Sequence, residues 1–179
     1  LNHTQIENID TCSINLSGIS LRAGNMLDFI FKQFDRHRVP PQKICFEITE
    51  TAAVQNIKQA LWFMQELTAI GCRFAIDDFG SGMASYSYLK DFPVHYVKID
   101  GVFVQDLVTN PLNRTLIESI NEISHMLGME TVAEWVENDK VSESLKDIGV
   151  DYGQGYYLGR PLPLESVCGE KPFDIGPVR

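Results

Sequence analysis

Phe74-Ala75-Ile76-Asp77-Asp78-Phe79-Gly80-Ser81-Gly82 is the stretch on which the fold is decided. An apolar run rich in strand-forming residues ends on two adjacent carboxylates and passes into a turn bracketed by glycines. A strand that hands acidic side chains to a loop looks like this. Successive side chains on a strand face opposite ways. Asp77 and Asp78 can therefore converge on one site only if the chain bends between them, as the two glycines would permit. A solvated acidic turn is the competing reading of the stretch taken alone.

On either side of it, strand and helix patterns alternate. Strands are expected at Cys12–Leu16, Ile44–Thr49, Arg73–Asp77, Tyr96–Ile99, Glu130–Glu134 and around Tyr152–Tyr157. Helices are expected over Met26–His37 behind Asn25 as N-cap, over Asn56–Ile70, briefly around Tyr86–Lys90, from Pro111 after Asn110, and over Asn138–Ile148. Pro40 and Pro41 stop the first. Ala60, Phe63, Met64 and Leu67 repeat at helical spacing, and Leu112, Leu116, Ile120, Ile123 and Leu127 are the expected buried stripe of the long helix. Gly71, Gly128 and Gly149 each close a helix ahead of a strand. Short connections of this kind imply a parallel sheet with βαβ crossovers, either an open doubly wound sheet or a β/α barrel. No GxGxxG follows any strand, which removes the usual support for a dinucleotide fold.

The 179 residues are 44% hydrophobic and 10% aromatic, enough for one domain with a substantial core. A net charge of −9 argues against DNA or RNA as partner, because phosphate binding draws on clustered Lys and Arg. No apolar run reaches the roughly 20 residues of a membrane helix, and no basic-then-apolar leader opens the chain. Cys12, Cys45, Cys72 and Cys168 are scattered without a CxxC pair, which suits a reducing, cytoplasmic setting.

Strands of a parallel sheet covered on both faces should be almost wholly apolar. These are not. Asn15, Glu47, Asp77, Lys98, Glu134 and Gln154 each place one polar or metal-capable group at or near the carboxyl end of a strand. One buried charge can be a paired structural group, but one on every strand calls for a common purpose. A divalent-metal site supplies it. Oxygen ligands without His or Cys at ligand spacing favour Mg²⁺ or Mn²⁺ over Zn²⁺. His3, His37, His95 and His125 lie elsewhere and read as surface or packing residues, which weakens a Ser-His-Asp hydrolase. Acidic ligands with one lysine suit phosphoryl chemistry at a pair of cations.

Taken in order, Asn15-Leu16-Ser17, Phe46-Glu47-Ile48-Thr49-Glu50, Asp77-Asp78-Phe79-Gly80-Ser81-Gly82, Lys98-Ile99-Asp100, Ala133-Glu134-Trp135-Val136-Glu137 and Gln154-Gly155-Tyr156-Tyr157 resemble the motifs of EAL domains. That family comprises cyclic di-guanylate phosphodiesterases. The resemblance spans essentially the whole chain, 1–179, and implies a TIM-like β/α barrel, incomplete here with about six of its eight strands. It implies hydrolysis of cyclic di-guanylate to linear pGpG with two Mg²⁺ or Mn²⁺ ions. Asn15, Glu47 and Asp77 would then ligate the first metal, and Asp77, Asp78 and Glu134 the second. Lys98 would stand beside the bridging water and Gln154 would orient water or ligand. Glu50 would brace the Asp-Asp loop and Glu137 the loop after Glu134, a solvated carboxylate being the other reading of both. Arg160 and Pro161 would border the guanine pocket. A homodimer contact near the Asp-Asp loop and an upstream sensory or cyclase-like domain, membrane-anchored in some parents, are also implied.

Three departures from the family pattern stand out. The Glu-Ala-Leu signature and its ligating glutamate do not occur, so the chain is expected to be an N-terminally truncated piece with an exposed sheet edge. Trp135 stands where the family usually has glycine, which matters if that turn needs positive φ. Leu158-Gly159 replaces the more usual Phe-Ser. Three readings therefore stay open: an active phosphodiesterase, favoured by the retained acidic set with Lys98, an inactive cyclic di-guanylate receptor or interaction module, and a purely structural remnant.

Overall fold

The computed structural model of the protein describes residues 9–81 and 86–163. The strand and helix patterns alternate as expected: β1 (Cys12–Leu16), α1 (Gly18–Arg22), α2 (Met26–His37), a 3₁₀ turn (Pro41–Lys43), β2 (Ile44–Thr49), α3 (Glu50–Gln55), α4 (Ile57–Ala69), β3 (Arg73–Phe79), α5 (Tyr86–Leu89), β4 (Tyr96–Ile99), α6 (Gly101–Gln105), α7 (Pro111–Met126), β5 (Glu130–Ala133), α8 (Asp139–Ile148) and β6 (Tyr152–Gly153). All six expected strands are present. Two compact units share them, β3 entering the second unit at Asp77.

In the first unit the strands follow in the order β1-β2-β3, with β1 parallel to β2. The register sets Asn15 opposite Glu47, so two of the polar strand residues are direct neighbours. Behind them the core is aromatic: the Phe46 and Phe74 rings lie 5.7 Å apart, and Phe63 meets Phe74 edge-on at 6.4 Å. Phe63 comes from α4, whose Ala60, Phe63, Met64 and Leu67 are all buried as their spacing predicts. Gly71 closes this helix at φ 103, where a side chain would press on Gln42. Asn25 stands at the N-cap of α2 as expected, although its side chain makes no capping bond. Glu50–Gln55, where no element is expected, is helical because the Thr49 hydroxyl caps it, accepting from the Ala52 N–H at 3.4 Å. Beside β1, an apolar hollow of about 400 Å³ is lined by Ile14, Leu16, Phe29, Phe34 and Phe46. Ile14 and Phe29 are exposed.

The second unit holds the end of β3 and then β4, β5 and β6 in that order, β4 parallel to β5 and β5 to β6. Its long helix α7 opens as expected, with Asn110 accepting from the Leu112 N–H at 3.0 Å and Pro111 at the first position. The stripe it buries keeps only part of the one expected. Ile120 is buried and Leu116 and Ile123 are half-buried as expected, but Leu112 is 66% exposed and Leu127 is exposed too, whereas Ile117, Asn121 and Ser124 join Ile120 in facing inward. Apolar spacing alone misplaced the face because half of it is polar. Asn121 donates to the Ile148 and Gly149 carbonyls and receives the Thr131 hydroxyl, so its burial is compensated by bonds that no periodicity reveals. The strand expected over Tyr152–Tyr157 is only two residues long. Beyond it Gln154 bonds alternately to Ala133 and Val136, its N–H donating to Ala133 at 2.8 Å and its carbonyl accepting from Val136 at 3.0 Å.

At the amino ends of β5 and β6, one carboxylate ties three elements. Asp151 Oδ2 accepts from the Thr131 N–H at 2.7 Å, lies 3.1 Å from the Thr131 hydroxyl oxygen, and lies 2.8 Å from His125 Nε2 at the end of α7. Burial alone would raise this carboxyl, but the Thr131 N–H and His125 outweigh it and hold it below the usual carboxylate range. A depressed folded-state value means stability that is present at neutral pH and lost as pH falls through it. Asp151→Asn should therefore cost about 1–3 kcal/mol at pH 7, by the loss of charge-assisted hydrogen bonds. Urea melts of both proteins check this, and the gap between them should close on acidification below the ordinary carboxyl value of 3.8.

Candidate functional site

Three strands of the second unit end on the groups that the sequence singled out. β3 carries Asp77 and Asp78 just before its last residue, Phe79, β4 carries Lys98, and Glu134 follows directly on β5. Lys98 is almost fully buried. Its Nζ lies 2.8 Å from Asp77 Oδ1 and 2.7 Å from Glu134 Oε1, so one ammonium bridges carboxylates from the strands on either side of its own. Parallel strands with β4 in the middle produce this bridge, because their carboxyl ends lie at one edge.

Asp77 and Asp78 do converge. The bend between them is made by Asp78 itself, which takes φ 54, a left-handed conformation that Asp tolerates better than most residues. Gly80 follows at φ 99, and a side chain there would meet Phe103 and Ile120. The turn is held by the Ser81 hydroxyl, which donates to the Asp78 carbonyl at 2.9 Å. Gly82 lies outside the described residues.

One oxygen from each of Asp77, Asp78 and Glu134 can be chosen so that all lie within 4.8 Å of one another. Oxygens on a single Mg²⁺-sized ion at about 2.1 Å are separated by at most about 4.2 Å, so a small inward adjustment would seat one. Asp77 Oδ1 is shut off from water and faces the Lys98 ammonium at 2.8 Å, so it already points at positive charge. The carboxylates also crowd one another electrostatically. Asp78 is raised by partial burial and then by Asp77 and Asp100, with Lys98 opposing. Glu134 is raised chiefly by burial, then by Asp77 and Asp78, against the pull of Lys98. A set of hard oxygen donors with one cation among them has capacity for more positive charge.

The remaining expected residues are distributed as follows. Asn15 is exposed and Glu47 buried, side by side on β1 and β2 of the first unit. Glu50 is buried in the first turn of α3, which rules out a solvated loop carboxylate, whereas Glu137 is exposed. Gln154 is exposed, its backbone clamped between Ala133 and Val136. Arg160 and Pro161 are both exposed, and the Arg160 guanidinium stands 5.2 Å from the centre of the Tyr156 ring. Sequence reasoning gave Asp100 no role. Here it caps α6, accepting from the Val102 N–H at 3.0 Å, and its charge reaches Asp78. The signal was available, since a carboxylate directly before Gly101 is a helix-cap pattern. Cys12, Cys45 and Cys72 are free thiols, and burial pushes Cys72 up to about 11, which makes it unreactive.

Parallel strands alternating with helices, and ending on a carboxylate and lysine cluster able to hold a cation, define a β/α domain with its polar site at the strand ends. Comparison with known proteins narrows this. The model of the EAL domain matches residues 1–161, and the chain belongs to the EAL domain family. It is 49% identical over 160 residues to the cyclic di-GMP phosphodiesterase PdeB of Shewanella oneidensis, covering 89% of this chain and 19% of that protein. It is 38% identical over 167 residues to the cyclic di-GMP phosphodiesterase PdeF of Escherichia coli K12, covering 93% and 22%. The chain thus spans about a fifth of the length of these curated relatives. Among solved structures, a PaMucR phosphodiesterase in complex with c-di-GMP superposes with a TM-score of 0.85 at 28% identity, over 92% of this chain and 70% of that one. The FimX EAL domain from Pseudomonas aeruginosa bound to c-di-GMP gives 0.80 at 31% identity, over 87% and 66%. These neighbours are barrel domains of the expected class. Among the described residues the strand order runs from β1 to β6. No helix among the described residues is long and apolar enough to cross a membrane.

Removing the ammonium should expose how much the cluster depends on it. Lys98→Met keeps most of the apolar stem but leaves Asp77 and Glu134 facing each other without a cation. This should cost about 3 kcal/mol in metal-free buffer at pH 7. Chemical denaturation with and without Mn²⁺ tests it, the expected result being a loss that millimolar Mn²⁺ largely restores.

Proposed function

We propose that the protein containing this chain hydrolyses cyclic di-GMP, opening one phosphodiester bond to give linear pGpG. The observation that carries the reading is the buried Lys98 bridging Asp77 and Glu134 beside Asp78, in a chain of the EAL family. A catalyst retains such a set at a cost in electrostatic strain, whereas a fold needing only stability would fill the space with apolar groups.

Asp77, Asp78 and Glu134 would hold Mg²⁺ or Mn²⁺, two ions being proposed, with Asn15 and Glu47 as further oxygen ligands. Bound cations would supply Lewis-acid polarisation of the phosphoryl oxygens and a more acidic water. The chain's own groups have separate tasks. Lys98, positively charged and desolvated, offsets negative charge as water adds to phosphorus and the ribose oxygen leaves. The carboxylates accept the proton that the water gives up, and the departing oxygen ends as a ribose hydroxyl. Gln154 would align the water or the phosphodiester, and Arg160 with Pro161 and Tyr156 would border a guanine. Glu50 and Glu137 are proposed to steady the loops that carry the ligands.

Incubating the protein with Mn²⁺ and cyclic di-GMP should release pGpG, followed by chromatography. Asp77→Asn should lower kcat/KM by at least about a hundredfold together with Mn²⁺ affinity. Lys98→Ala should lower kcat comparably with Mn²⁺ still bound. Binding of the intact dinucleotide without any pGpG would overturn hydrolysis in favour of a receptor.

A further inference from the structure

We infer that Trp135 is a positioning residue whose indole, seated on Gly101, locks the left-handed turn that delivers the Glu134 carboxylate to Lys98. The consequence for cation binding rests on the function proposed above, while the lock itself does not.

Trp135 has φ 54, a region that a bulky L-residue rarely adopts. The peptides on both sides are fixed, which is why the strain falls there. The Glu134 N–H donates to the Ile99 carbonyl at 3.2 Å, the Val136 N–H to the Gln154 carbonyl at 3.0 Å, and the Val136 carbonyl accepts from Tyr157 at 3.0 Å. Gly155 is pressed so closely on Val136 that a side chain there would overlap its backbone. Between these anchors, residue 135 must turn the chain so that Glu134 reaches Lys98 while Val136 is buried.

The indole holds the turn in place. A methyl group built on Gly101 would overlap Cγ and Cδ2 of Trp135, so the ring lies directly on the glycine backbone at the first residue of α6. Gly101 is buried, and Lys98 lies three residues earlier on the same segment. The ring therefore ties the chain carrying Lys98 to the chain carrying Glu134, a side-chain link beyond their ion pair, the β4–β5 pairing and the Glu134–Ile99 hydrogen bond. Trp135 remains 49% exposed, so filling the core does not account for it. Strain kept beside a charged cluster and held by a specific contact is what positioning of a reactive group requires.

The test compares wild type with Trp135→Gly, Trp135→Phe and Gly101→Ala, reading amide hydrogen exchange by NMR and Mn²⁺ affinity by electron paramagnetic resonance. Glycine accepts the backbone conformation but removes the ring. Exchange at the Glu134 and Val136 amides should then accelerate at least about tenfold while the Thr131 amide is unchanged, and Mn²⁺ affinity should fall about tenfold, as for other residues that orient a ligand. Trp135→Phe should recover most of both effects, and Gly101→Ala, which unseats the ring, should reproduce them. Unchanged exchange in Trp135→Gly overturns the lock whether or not the wild type binds Mn²⁺. Faster exchange with undiminished Mn²⁺ affinity overturns the positioning role. Failure of the wild type to bind Mn²⁺ counts against the proposed function, and the exchange data then decide the lock alone. Should Gly101→Ala not fold, the two Trp135 variants decide it.

Discussion

The ammonium of Lys98 is the constraint around which the second unit is arranged. A buried lysine without counter-charge is costly, and here it is met within 3 Å by carboxylates from the strands on either side, Asp77 at 2.8 Å and Glu134 at 2.7 Å. Only a strand order with β4 between β3 and β5, all ending at the same level, makes that possible. Each partner depends on the others. The lysine is tolerated because of the acids, and its ammonium opposes the upward push that burial gives the Glu134 carboxyl.

Backbone strain is concentrated in the same place. Among the described residues, non-glycine positive φ angles occur at Arg38, where α2 ends, and at Asp78 and Trp135, one within the acidic cluster and one directly after it. Asp78 turns the first strand end and Trp135 the third. Glycines make room for both turns: Gly80 next to Phe103, Gly101 under the indole, Gly155 against Val136. Carboxylates aimed at one point from separate strands cannot all leave in relaxed extended conformations, so the turns that aim them carry the strain.

The opposite strand ends are built for rigidity. Asp151 gathers Thr131 and His125, and Asn121 links Thr131 to the end of α8, so that β5, β6, α7 and α8 are fixed by hydrogen bonds with no strained backbone among them. Chemistry at one end of the strands and stability at the other is the division expected of β/α domains. It explains why α7 turns a face inward that contains Asn121.

From its letters alone, the chain determined its class and the identity of its polar strand residues. Apolar runs with correctly placed glycines and caps are local signals, and six strands with one charged or amide group at or near each carboxyl end can be read without coordinates. The EAL resemblance was legible for the same reason. The tertiary structure decided what depends on distance. It put a single ammonium between Asp77 and Glu134, assigned the turn to Asp78 rather than to a glycine, and replaced Leu112 and Leu127 in the buried face of α7 with Ile117 and Asn121. It also seated Trp135 on Gly101. Residues far apart in sequence make these contacts, and Asn121 is buried through such partners, which hydrophobic periodicity does not encode.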